Sequence, residues 1–362
     1  MKEKGLKSTL IRYGKRYFID AMGAMANGLF ASLLVGTIVK TLGQQVGNLV
    51  DNAFIDQLAA ALVAMGDFAS AASGCAMAIA IGYALKADPL VLFSLATVGY
   101  ATNSLGGAGG PLAVLIIAIV ASEVGMLVSK KTKIDVLVTP IVTIVVGCAL
   151  ALLISKPIGD CAKALGEIIV WATVQQPVIM GVVISVVMGM ILTLPISSAA
   201  ICASFGVVGL AGGAAVAGCC AQMIGFAVIS YRENRLGGLV AQGLGTSMLQ
   251  VPNIVKNPRI WIAPTLASAV TGPLATVVFK LEMNGAAVSS GMGTCGMVGP
   301  IGVISGWFNP LAASATPIIP TAFDWIGLIL ICIVLPALLS WIFNEILRKV
   351  GWVRDGDMKL SV

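Results

Sequence analysis

Apolar runs recur along this chain at close to the length, about 20 residues, that a helix needs to cross a bilayer. One of them, from Ile134 to Ser155, reads IDVLVTPIVTIVVGCALALLIS, with Asp135 its only charged residue. Such runs give a water-soluble fold no polar face to present. Charged residues make up 10% of the 362 positions, where a soluble domain carries about 25%. The chain therefore reads as an all-α polytopic membrane protein, because a helix is the one open-ended structure that satisfies its own backbone in lipid.

Nine runs stand out as spans: 18–42, 57–85, 89–101, 111–129, 134–155, 178–198, 201–229, 260–281 and 325–347. A tenth, 285–308, is apolar but carries Gly291, Gly293, Gly296, Gly299, Pro300 and Gly302. It reads either as a broken crossing or as a re-entrant loop. Counting it gives about ten transmembrane helices. Residues 156–174 place Ile158, Ala162, Leu165, Ile169 and Val170 on one face, the spacing of a helix lying on the membrane surface.

Basic residues gather at the ends of the runs. Lys2, Lys4, Lys7, Arg12, Lys15 and Arg16 precede the first, and Arg348, Lys349 and Arg354 follow the last. The positive-inside trend then puts both termini in the cytoplasm and requires an even number of crossings. On a count of ten, Arg232 and Arg235 fall outside, against that trend. The net charge of +6 belongs to this topology and not to nucleic-acid binding. The division expected is a basic N-terminus (1–17), one membrane domain (18–347) and a short tail (348–362). The first run is too long for a cleavable signal and lacks a small-residue cleavage site.

Polar chemistry collects where the runs are interrupted. Irregular backbone at membrane depth survives only inside protein or beside a water-filled cavity, so each interruption is a candidate site. Thr102–Pro111, TNSLGGAGGP, offers Asn103 and Ser104 among glycines. Leu194–Gly206, LPISSAAICASFG, offers Ser197 and Ser198 after a proline. Leu244–Pro258, LGTSMLQVPNIVKNP, offers Thr246, Ser247, Gln250 and Asn253, neutral groups suited to the hydroxyls of a sugar or other polyol. The first and third, one in each half, hint at the internal symmetry common in transporters. An ionisable residue inside a span is a functional candidate: Asp67 as a substrate or proton ligand, or paired with a lysine such as Lys86; and Glu123, within reach of Lys130 or Lys131.

Much chemistry is excluded. The chain has no histidine, hence neither a Ser-His-Asp triad nor a His-ligated metal. No phosphate loop of the GxxxxGK[ST] type occurs. The eight cysteines form no CxxC pair and read as small packing residues. No cofactor, metal or complete catalytic group is expected.

Three stretches carry a family resemblance: Lys133–Gly159, KIDVLVTPIVTIVVGCALALLISKPIG; the Gly189–Gly206 region; and VPNIVKNPRIWIAP, which continues the third interruption. Together they resemble the membrane (IIC) component of the bacterial phosphotransferase system, in its fructose-like and glucose-like branches, and most closely stand-alone IIC-like proteins that include regulators of toxin production. The resemblance implies a homodimer in the bacterial cell membrane, built of a scaffold and a moving substrate-carrying part, with a sugar as solute and a separate IIB partner. In that family a glutamate before the proline stretch binds the sugar and assists its phosphorylation. Aligned on Pro252 and Pro258, its place is held by Met248, with Gln250 the nearest polar substitute. Three readings follow: a permease for a sugar or small polar solute, a membrane sensor that binds without transporting, and an ion-driven transporter using Asp67.

Overall fold

The computed structural model describes residues 13–49, 53–311 and 315–360; Lys2, Lys4, Lys7 and Arg12 of the basic N-terminus lie outside them. The described chain is helical, with one isolated antiparallel bridge, Gly209 to Met283. Among the described residues seven helical stretches are long and apolar enough to cross a membrane, with the hairpin of residues 89–128 counted once, where the sequence suggested about ten. The difference lies in how the chain turns back on itself.

Helix α1 (Tyr13–Gly47) crosses first. Helices α2 (Ala53–Ala71) and α3 (Ser73–Ala84) return as one bent rod, and the Arg16 guanidinium donates to the Leu85 carbonyl where that rod ends. Helices α4 (Pro89–Gly106) and α5 (Gly110–Val128) form a hairpin, not one long span. Gly107 breaks the helix at φ +50°, and a Cβ on Gly125 would stand 2.9 Å from Val91. Lys130 closes the open end of the hairpin on Asp88, holding that carboxyl below the usual carboxylate range. A depressed folded-state pKa adds stability at neutral pH that disappears as the pH falls through it. Asp88→Asn is therefore expected to lower the melting temperature slightly at pH 7, as loss of an exposed pair does, and to flatten the acid limb of a melting-temperature-against-pH curve, so that variant and wild type converge at low pH.

Helix α6 (Asp135–Thr173) runs unbroken through Pro140 and Pro157. The surface helix expected at 156–174 is its second half. One stripe of small residues, from Thr139 through Gly147, Ala151, Ser155 and Gly159 to Gly166, is buried along its length. Gly159 lies against the Gly106 carbonyl and Gly166 against the Phe205 ring, and this continuous packing holds the helix across Pro157. Its 39 residues rise about 58 Å, nearly twice the hydrocarbon thickness.

Helix α7 (Pro177–Thr193) and helix α9 (Gly209–Ile229) run parallel: Gly218 faces Ser185, and one turn on Gln222 faces Gly189. The intervening chain must turn back, and it does so through the short helix α8 (Ser198–Phe205). The run 201–229 is therefore two elements. This resolves the charge conflict. Arg232 pairs with Glu345 and Glu233 with Arg348, so α10 (Tyr231–Val240) lies at the same end of the bundle as the C-terminal tail.

After α10 the chain dips inward, turns, and re-emerges as α11 (Val251–Lys256) before α12 (Pro258–Val278) crosses. The glycine-rich 285–308 stretch is a re-entrant hairpin, α13 (Ala287–Ser290) followed by α14 (Cys295–Phe308). Its arms are antiparallel: a Cβ on Gly285 would meet the Gly302 carbonyl, and the Leu311 amide donates to the Asn284 carbonyl. Helix α15 (Ala322–Lys349) crosses last.

Candidate functional site

Four interruptions of the helices meet at one point. The α4–α5 turn touches the 194–197 turn, where the Ser197 amide donates to the Ala108 carbonyl at 2.8 Å. The neighbouring hydroxyl of Ser198 donates to the Gly291 carbonyl at the tip of the 285–308 hairpin, at 2.6 Å. From the same tip Thr294 donates to the Gly243 carbonyl at 2.5 Å, in the inward dip after α10. The dip and the hairpin enter from opposite ends of the bundle. Gly293 and Gly296 bend the hairpin tip at φ +53° and +51°, a conformation that side chains with a Cβ adopt at a cost.

A cavity of about 60 Å³ opens where these tips meet α1. Leu29, Phe30, Leu33 and Leu34 of α1 form one wall, and Ser197, Ser198, Gly245, Thr246, Met248 and Met292 form much of the rest. No ionisable side chain other than the buried Cys295 thiol lines it among the described residues. Thr246 turns its oxygen to the Met248 amide, and Ser197 caps α8 by accepting from the Ala200 amide.

The residues singled out from the sequence fall into three groups. Thr246 and Ser197 reach the cavity. Ser247 lies just behind it in a buried network: its hydroxyl is 2.9 Å from that of Thr193, which donates to Gln222, and Trp261 donates to the same Gln222 oxygen at 2.9 Å. Gln250 and Asn253 face the other way, onto the tail. Gln250 donates to the Met358 carbonyl at 3.0 Å and to Gln242, and Asn253 donates to the Lys359 carbonyl at 3.0 Å.

Three candidates sit elsewhere. Asn103 donates to the Ser73 hydroxyl at 3.3 Å, between α4 and α3. Asp67 pairs with Lys40 at 2.6 Å, linking α2 to α1, and not with Lys86. Glu123 pairs with Arg16 instead of Lys130 or Lys131, and also accepts from Tyr17.

Sequence reading missed the tail. Residues 350–360 lie along a groove of side-chain amides and one carboxylate. Asn234 donates to the Met358 carbonyl and accepts from the Leu360 amide, both at 2.8 Å. Glu233 accepts from the Met358 amide at 2.8 Å and holds Arg348 at 3.1 Å. Met358 and Val353 are buried with Phe226 and Ile254. The density of Asn and Gln from 234 to 257 was the available signal, but it does not say what those amides bind.

A family model described as Phosphotransferase system, EIIC matches residues 19–360. No curated protein matches the chain.

Proposed function

We propose that this chain, which belongs to the phosphotransferase system EIIC family and is the membrane component of a sugar-transport system, binds a neutral sugar or small polyol in the central cavity and carries it across the bilayer. The observation that supports this most is the meeting of four broken segments, entering from both ends of the bundle, around one cavity. Broken helices that converge at mid-depth are where transporters hold their solutes. The Thr246 and Ser197 hydroxyls supply direction, and the apolar wall of α1 covers the carbon face of a ring. A cavity of about 60 Å³ is smaller than a sugar ring needs, so the dip carrying Thr246, whose own helices are short, moves to admit the solute. A separate IIB protein is the partner, and both termini are cytoplasmic.

The lining gives a second reading its weight. Met248 stands in the cavity wall, at the position that the resemblance assigns to a sugar-binding carboxylate. A cavity without a carboxylate has no base to take a proton from a sugar hydroxyl during phosphoryl transfer. A sensor that binds and signals without modifying its solute needs no such base. Asp67, paired on the α1–α2 surface, leaves the ion-driven reading without a group in the cavity.

Uptake of radiolabelled hexoses and hexitols into proteoliposomes, with and without phosphoenolpyruvate and the general phosphotransferase proteins, separates the readings. Uptake of one neutral sugar is expected, and Thr246→Val with Ser197→Ala is expected to weaken its apparent affinity by about tenfold, the loss of roughly 1.4 kcal/mol of hydrogen bonding. Saturable binding with no uptake under either condition replaces the permease by the sensor.

A further inference from the structure

A second polar space lies at the end of the bundle away from the tail. It has a volume of about 440 Å³ between the last turns of α1 and the 285–308 hairpin. Thr41, Gln44 and Gln45 face Ser289, Ser305 and Asn309 across it. None of these six side chains has a hydrogen-bond partner among the described residues, and their polar atoms stay accessible from the space. Six uncommitted amides and hydroxyls on one wall set are a surface built for a hydrogen-bonding occupant. No ionisable residue is among its described lining, which selects against charged ones.

The space adjoins the central cavity, and the same two elements wall both. Helix α1 carries Leu34 in the cavity and Thr41 in the outer space, about 10 Å further along the helix. The hairpin carries Met292 and Cys295 in one and Ser289 and Ser305 in the other. Between the two spaces Ile38 sits against Gly296, where a Cβ would stand 2.4 Å from the Ile38 side chain. At the opposite end the tail closes the bundle with its bonds to Gln250, Asn253 and Asn234.

We propose that this outer space is an entry vestibule, a second binding site that takes up a neutral polyhydroxy solute before it passes Ile38 into the central cavity. The proposal deepens the reading of the central cavity as a solute site and rests on it. Gln44, Gln45 and Asn309 each offer both a donor and an acceptor, the pairing that vicinal hydroxyls require. Loose, multi-point recognition at the mouth raises the local concentration of solute without holding it against onward transfer.

Thiol protection tests this directly. Gln45→Cys and Asn309→Cys, at positions not fully buried, are made in a chain whose exposed Cys161 is changed to serine. Each is reacted in nanodiscs with a hydrophilic methanethiosulfonate, alone and with about 100 mM D-glucose, D-fructose, D-mannitol or D-gluconate, enough to occupy a millimolar site. At least one neutral polyol is expected to slow labelling several-fold at both positions, with gluconate inert. Labelling unchanged by all three neutral polyols, or slowed equally by gluconate, overturns the vestibule. Thr246→Cys and Ser197→Cys report on the cavity in the same way. Protection there alone overturns the vestibule and keeps the cavity; protection at 45 and 309 alone keeps the outer space as a polyol site but removes the cavity reading and, with it, the entry role. Adding Ile38→Ala is expected to speed labelling at Thr246→Cys several-fold, and an unchanged rate overturns the constriction.

Discussion

Replacing Glu233 by alanine is expected to destabilise the protein by about 3 kcal/mol, the lower end of what breaking a buried ion pair costs. The Glu233 and Arg348 side chains are 7% and 10% exposed, so neither charge has water to fall back on. Glu233 also accepts from the Met358 amide, and its loss leaves that amide unpaired under the tail. The effect stays near the lower end because Arg348 keeps Asp355 as a partner. Glu233→Gln retains an acceptor for Met358 but not the charge, and should fall between the two. Arg232→Ala is the control: its pair with Glu345 leaves Arg232 60% exposed, and such pairs contribute less than about 1 kcal/mol. Thermal melting in detergent measures all three. Equal losses for Glu233→Ala and Arg232→Ala would show that the tail is not docked as described. Proteolysis of residues 350–360 provides a second readout, since an undocked tail is cut faster.

The spans were legible because apolar run length and helix length follow from the same bilayer thickness. The interruptions were legible too, since glycine, proline and small polar residues inside apolar runs mark backbone that leaves the helix. The sense of each interruption was not. Whether 285–308 crosses or returns depends on Gly285 lying against Gly302, a contact between two apolar pieces that no charge announces. The run 201–229 looked continuous because Gly206 and Gly209 are two more small residues among many; their positive φ values end one helix and start another. Lys156–Pro157 looked like a boundary and was not, because the packing of Gly159 and Gly166 overrides a local breaker.

The partners of the amides were the least legible. Gln250 and Asn253 have the residue types of a sugar site, and a side-chain amide serves a sugar hydroxyl and a peptide carbonyl equally well. The carbonyl that Gln250 binds is 108 residues away in sequence. The same limit explains Asp67, whose partner Lys40 is 27 residues back on a neighbouring helix. Pattern identifies which groups need partners; only the fold supplies them.

Gly218→Ala is the second large effect, and it joins packing to the site. A Cβ on Gly218 would stand 1.9 Å from the Ser185 carbonyl oxygen, 2.5 Å from its carbon and 2.6 Å from its Cα. Those are backbone atoms of a neighbouring helix, so the clash is relieved only by separating α7 from α9. The cost expected is about 3 kcal/mol, the upper part of the range for overpacking. Small residues let membrane helices approach closely, and their contacts replace a hydrophobic drive that lipid does not provide. The node holds a third helix as well: Ser268 of α12 donates to the Gly218 carbonyl at 3.3 Å, and Ser185 donates to the Ser268 carbonyl at 2.8 Å. One turn beyond Gly218 lies Gln222, whose oxygen accepts from Thr193 and Trp261 directly behind Ser247 and the cavity wall. Moving α9 away from α7 therefore displaces the support of the Thr246 turn, and solute affinity should fall along with melting temperature. Gly237→Ala sets the scale: nothing lies within 4 Å of its Cβ position, and in an exposed helix the change is expected to be neutral or to stabilise by up to about 1 kcal/mol. If the two variants melt together, α7 and α9 do not touch at Gly218, and the parallel arrangement that makes 194–208 a return segment fails with it.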